Sequence, residues 1–320
     1  MFGITRRHAA DAQPEASSPG GENAGGFRDL HVSARDGLRL YARDYGSRTS
    51  LSTPVICLPG LARTAGDFDD LARHLSSSRR VLALDYRGRG NSEWSRDWRQ
   101  YDVRVEADDA LSVLTAAGIH EAIFVGTSRG GLIIMALAAM RPTLVRAAVL
   151  NDVGPVVDGK GLMRIRGYVG KLPTPADYRE GGIILKRLMD AQFPKLTDAD
   201  WEAMAHQTWR DSGKKDKRLA PAYDPSLMKS LEAIDFEAPL PPLWHLFEGL
   251  KRVPVLVLRG ANSDILAPAT LDEMAERHPR LTSYVVADQG HAPLLTGPDM
   301  LERIGRFVAE VDGKERNGHA

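Results

Sequence analysis

Apolar residues change their rhythm several times along this chain, and each change marks an element. Two runs of alternating residues, Phe27–Ala34 and Leu38–Tyr45, flank Arg35-Asp36-Gly37. An Asp-Gly between alternating runs predicts an antiparallel hairpin. Val55–Leu58 is then continuously apolar, the mark of a strand buried on both faces. Phe68, Leu71 and Leu75 follow at helical spacing, and Val81–Leu84 returns to strand. Val103–Ala117 reads as a helix with Val105, Leu111 and Leu114 inward, Ala122–Val125 as a strand, Gly130–Met140 as a helix and Ala147–Leu150 as a strand.

Strand and helix alternating over residues 54–152 predict an α/β fold, a mostly parallel sheet with helices on both faces. From Gly154 to Leu250 the rhythm breaks into helical stretches, proline pairs and aromatics with no convincing strand. It resumes with Val253–Leu258, the helix Ala269–Arg277, the strand Ser283–Val286 and a last helix near Met300–Val311. The expected organisation is a core over 27–153 and 251–312, interrupted by a helical insertion over 154–250. A tail over 1–26, rich in Ala, Ser, Gly and Pro, is expected to be disordered. The polar end over 313–320 is expected to fray.

Composition narrows the function classes. With 320 residues the chain can bury a large core, and 42 Lys+Arg against 42 Asp+Glu leave no net charge. Nothing global therefore draws it to nucleic acid or to an anionic membrane. No run of about 18 apolar residues predicts a membrane span. The first residues lack the apolar stretch of a secretory signal, so a cytoplasmic location is expected. The single cysteine, Cys57, sits mid-strand and reads as an inert core thiol. With no H-E-x-x-H and no clustered Cys or His, neither a metal nor a cofactor is expected. The basic cluster around Lys214–Arg218 reads as solvated surface.

The sharpest chemical signal is Gly126-Thr127-Ser128-Arg129-Gly130, placed directly between a predicted strand and a predicted apolar helix. A turn that sharp strains the serine backbone, and the flanking glycines let strand and helix approach closely. The hydroxyl then projects at the carboxyl end of the sheet, where the helix N-terminus can stabilise developing negative charge. Ser128 is accordingly the expected nucleophile.

On this motif in this context, the chain resembles the α/β-hydrolase superfamily from about Phe27 to Val311. The resemblance implies the order nucleophile, acid, histidine, with the histidine in a loop after the last strand. Of the histidines beyond Ser128, only His291, in Asp288-Gln-Gly-His-Ala-Pro, occupies such a loop. For the acid, Asp264 follows the strand Val253–Leu258 at the family's usual position, and Asp152 follows the preceding strand as the second candidate. Asp264 is preferred. The resemblance also assigns two backbone oxyanion donors, the N–H groups of Leu61 and Arg129. Asp85-Tyr-Arg-Gly-Arg-Gly-Asn-Ser92 resembles the family's D-x-R-G-x-G-x-S loop, and Asp85, Arg87 and Ser92 are expected to brace the loops near the site.

The insertion falls where family members carry a cap over the active site, with Tyr168 and Trp244 as candidate substrate-binding residues. The implied reaction is hydrolysis of carboxylic esters of small molecules through an acyl-enzyme. Carbon–carbon or lactone hydrolysis by the same residues and a non-catalytic small-molecule receptor are the alternatives. Arg129 carries an unusual charge next to the nucleophile. Burying it unpaired would be costly, so it should have a carboxylate partner, with Asp152 a plausible one, unless it greets an acidic group of the substrate.

Overall fold

In the computed structural model, which describes residues 25–213, 218–235 and 240–318 (the side chains of 314–318 excepted), the hairpin forms as the Asp-Gly signal predicts. Strand β1 (Arg28–Ser33) pairs antiparallel with β2 (Arg39–Tyr45). Then follow β3 (Val55–Leu58), α1 (Asp69–Ser76), β4 (Val81–Asp85), α2 (Val103–Ala116), β5 (Ala122–Thr127), α3 (Arg129–Met140) and β6 (Val145–Asn151). The insertion contributes α4 (Gly159–Tyr168), α5 (Tyr178–Met189), α6 (Asp198–Thr208), β7 (Trp209–Asp211), β8 (Leu219–Pro221), α7 (Met228–Glu232) and α8 (Trp244–Phe247). The chain returns through β9 (Val255–Gly260), α9 (Pro268–Arg277), β10 (Leu281–Val286) and α10 (Pro298–Gly318).

The main sheet has the order β1-β2-β4-β3-β5-β6-β9-β10. Only the β1–β2 and β2–β4 pairings are antiparallel; the rest are parallel. Because side chains alternate across a strand, β3 sends Ile56 and Leu58 to one face and Val55 and Cys57 to the other. The first face is covered by apolar residues of α2, α3 and α9, and the second by those of α1 and α10. Cys57 is wholly buried, which pushes its thiol pKa up and leaves it unreactive.

Three local expectations differ from what the structure shows. The insertion does contain strands, β7 and β8, but they pair only over three residues each, too short to leave a periodic signal. Trp244 packs edge-on against Phe247 with its face under the Arg277 guanidinium, on the α3 side of the sheet. The end expected to fray from 313 is helical as far as Gly318, since polarity alone does not stop a helix rich in straight-chain residues. The tail over 1–24 and residues 214–217 lie outside the described residues.

Close packing of β3, β5 and α3 sets the position of Ser128. A Cβ on Gly130 would stand 2.0 Å from the Leu58 carbonyl oxygen, and one on Gly126 would stand 2.6 Å from the Gly130 carbonyl carbon. Overpacking of this kind typically costs about 1–3 kcal/mol. Gly130→Ala is therefore expected to lower the unfolding free energy by about 2 kcal/mol or more, read as a shift of the urea midpoint at unchanged slope.

Candidate functional site

Ser128 occupies the one-residue turn between β5 and α3 with φ of 51°, a backbone region that non-glycine residues rarely adopt. Its N–H donates to the Asn151 carbonyl at 2.9 Å, which fastens the turn to β6. The Asn151 amide in turn donates to Thr127 Oγ1 at 3.1 Å and to the Pro293 carbonyl at 2.9 Å. One side chain thus joins the serine turn to the loop that carries His291.

The Ser128 Oγ lies 2.8 Å from His291 Nε2, and His291 Nδ1 lies 2.7 Å from Asp152 Oδ2. An ionised carboxylate can only accept, so Nδ1 carries the proton and donates to Asp152, leaving Nε2 to accept from the serine hydroxyl. Asp152 is fully buried at the end of β6, again with positive φ (59°). Its carboxylate also accepts from the Gly260 N–H at 2.9 Å and from Ser263 Oγ at 2.5 Å. Three donors around a buried carboxylate satisfy its lone pairs and fix its direction.

Asp264, the preferred acid from sequence, is not the residue the structure places on His291. Its two carboxylate oxygens accept from Arg164 of α4, at 2.6 Å from Nε and 2.8 Å from Nη2. Burial pushes the Asp264 pKa up, but hydrogen bonds and charge from Arg164 outweigh this and hold it below the usual carboxylate range. Asp264 is therefore committed to the insertion, and the second candidate, Asp152, takes the contact with the histidine.

Arg129 does have a carboxylate partner, but that partner is Glu106 of α2 and not Asp152. Its Nη2 also donates to the Tyr101 carbonyl at 2.8 Å. The guanidinium so held is turned to α2, so the expectation that it greets a substrate group finds no support in its contacts.

Among the described residues, no backbone carbonyl accepts from the Leu61 N–H or the Arg129 N–H. Arg129 follows Ser128 in the chain, and Gly60, the residue before Leu61, lies close to that serine, since a Cβ there would come 3.9 Å from the Ser128 Cβ. In the glycine-rich loop, Asp85 accepts from the N–H groups of Ala65 (2.7 Å) and Asn91 (2.9 Å), and burial pushes its pKa up to about 6. Arg87 pairs with both oxygens of Asp109, and Ser92 Oγ donates to the Asp85 carbonyl while accepting from the Tyr41 N–H.

A cavity of about 670 Å³ opens onto this group. Gly60, Leu61, Ser128 and His291 line its floor. Ile165, Val169, Leu185, Met189, Phe193 and Met204 from the insertion line an apolar side. Tyr168 faces the cavity as expected from sequence; Trp244, on the far side of α3, does not. Sequence reasoning missed the polar wall of Arg63, Thr208 and Tyr223. Arg63 donates to both oxygens of Asp67, at 2.8 and 2.7 Å, and to Thr208 Oγ1 at 2.9 Å. The Arg63–Asp67 spacing was a usable signal, whereas Thr208 and Tyr223 reach the wall only through the fold of the insertion. Among the described residues no three His, Cys, Asp or Glu side chains gather as metal ligands, and no helix is long and apolar enough to cross a membrane.

Residues 53–298 match the family model described as the alpha/beta hydrolase fold. A 3-hydroxybutyrate-oligomer hydrolase of Cupriavidus necator is 34% identical over 262 residues, covering 79% of this chain and 87% of the relative. The esterase YbfF of Escherichia coli is 24% identical, covering 80% and 93%. Among solved structures, an alpha/beta hydrolase of Novosphingobium aromaticivorans superposes with a TM-score of 0.83 at 37% identity, covering 90% of this chain and 99% of its own.

Proposed function

Since the chain belongs to the α/β-hydrolase family and is a hydrolase, we propose that it cleaves carboxylic esters of small molecules with Ser128 as nucleophile, His291 as general base and Asp152 as the acid. The observation that carries this reading is the unbroken chain of contacts from Ser128 Oγ through the imidazole to the buried Asp152 carboxylate.

His291 Nε2 takes the hydroxyl proton as Ser128 Oγ attacks the ester carbonyl carbon. The oxyanion is received by the N–H groups of Leu61 and Arg129, which stabilise the charge as it develops. The tetrahedral intermediate collapses as His291 returns the proton to the departing alkoxide, leaving an acyl-enzyme. A water deprotonated by His291 then attacks the acyl carbon, and the second collapse frees the acid and restores Ser128. Asp152 keeps the imidazole in one tautomer and stabilises its charged form without taking the proton. No step calls for a metal or cofactor.

An alkoxide leaves more readily than a carbanion, so the ester reading is preferred to carbon–carbon cleavage by the same groups. Oligoesters of short hydroxy acids are the proposed substrates within this class. Support comes from the oligomer-cleaving relative and from a cavity that sets an apolar side against the polar wall of Arg63, Thr208 and Tyr223. The helical insertion, which supplies the apolar side, is proposed to act as a cap that excludes water from the acyl group. The test is turnover of p-nitrophenyl esters of graded length beside 3-hydroxybutyrate dimer and trimer. Turnover of both classes is expected. Aryl esters alone would remove the oligoester, and a folded protein that turns over neither would overturn the ester reading.

A further inference from the structure

Beneath the two oxyanion donors lies a cluster of three charges that the hydrolytic steps do not use. The Glu106 side chain, on the inward face of α2, is completely buried, and so is that of Arg89 from the glycine-rich loop. Glu106 Oε1 stands 2.6 Å from Arg89 Nη1 in an ion pair, and Oε2 accepts from Arg129 Nε. Arg89 Nε donates to the Leu61 carbonyl at 2.8 Å, and its Nη1 donates to the Arg87 carbonyl at 2.7 Å. One carboxylate is therefore tied, through one arginine to the Leu61 carbonyl and through another to residue 129 itself, to the two residues proposed as oxyanion donors.

We propose that Glu106, acting through Arg89 and Arg129, is a positioning residue that holds the Leu61 and Arg129 donors in register with each other. The proposal rests on the ester hydrolase reading above. Two cations and one anion with almost no solvent are costly to bury, and well-packed apolar side chains would often serve stability as well. What apolar packing cannot supply is a directed bond to the Leu61 loop on one side and to the first residue of α3 on the other. Oxyanion donors stabilise only when they point to where the charge develops, and small misplacements are felt in the rate.

The same loop also reaches the insertion. Arg89 pairs backbone to backbone with Tyr223, and the Gly90 N–H donates to the Ala222 carbonyl at 2.7 Å. Tyr223 lines the cavity wall. Arg89 thus fastens a donor loop and a substrate wall to one buried anion.

The experiment compares wild type with Glu106→Gln/Arg129→Met, which removes one charge of each sign and keeps the backbone N–H of residue 129. Arg89→Lys is the second variant, which keeps the charge but cannot reach Glu106 and the Leu61 carbonyl together. For each, kcat and KM on an aryl ester are measured beside the affinity of a trifluoromethyl ketone, which adds Ser128 and places an oxyanion in the donor site. Both variants are expected to lower kcat and ketone affinity together by about tenfold, a fraction of the ~100-fold or more that loss of a whole donor costs. KM and affinity for the product acid should stay within about twofold, as befits a loss confined to the transition state. A merely structural role would lower the melting temperature and leave ketone affinity within about twofold of wild type in a folded variant, and that result would overturn the proposal. Wild type that turns over no ester would overturn the underlying hydrolase reading instead.

Discussion

Asp152→Asn is expected to lower kcat on an aryl ester by about 10⁴, the loss that follows when an amide replaces the carboxylate and the wrong histidine tautomer is held. An asparagine in this place can turn its NH₂ toward Nδ1, which then accepts and leaves the proton on Nε2, where it blocks the serine hydroxyl. Asp264→Asn should cost less than about tenfold, because its carboxylate serves Arg164 and the insertion. That pair is a quarter to a third exposed on each side, so its loss should cost no more than about 1 kcal/mol of stability. Paired kinetic measurements on the two variants decide between the aspartates. Near-equal losses would contradict the assignment, and a larger loss for Asp264→Asn would reverse it.

Ser128→Ala is expected to have a still larger effect, a fall in kcat of about 10⁶, since removal of the nucleophile alone costs about as much as removal of the whole catalytic set in an enzyme of this kind. Substrate binding should survive, because the cavity wall is built from other residues and alanine removes one atom. Unchanged KM within about threefold, with residual turnover set by the oxyanion donors alone, is the expected kinetic signature. Retention of even a hundredth of wild-type kcat by a sample free of wild-type enzyme would require another nucleophile.

Much of this candidate site is legible in the sequence, and the reason differs residue by residue. Ser128 was legible because its turn is local: a strand, a strained residue and close-packed glycines must all appear within a few positions. His291 was legible because the family resemblance asks for a histidine in the loop after the last strand, and hydrophobic rhythm places that strand. The choice between Asp152 and Asp264 was not, because both end strands and only distant partners separate them. Gly260 and Ser263 come to Asp152, and Arg164 comes to Asp264 from a hundred positions upstream. Such pairings carry no period in the sequence.

The partner of Arg129 was closer to hand. Glu106 and Asp109 fall at i, i+3 on α2 among the inward Ala107, Ala110 and Val113, and acids on an inward face call for buried cations. Arg87 and Arg89 supply two of them. Trp244 was misplaced for the opposite reason. An aromatic in the insertion suggests a pocket wall, but the last turn of that segment packs back on α3 as ordinary core.

The most direct test is the site of covalent modification by a fluorophosphonate, located by mass spectrometry of the digested protein. Attack by an activated serine predicts one adduct, on the peptide containing Ser128, and its loss when His291 is replaced by alanine. A folded protein that forms no adduct, or forms it on another residue, would contradict the assignment of Ser128 and His291 as a nucleophile and its base.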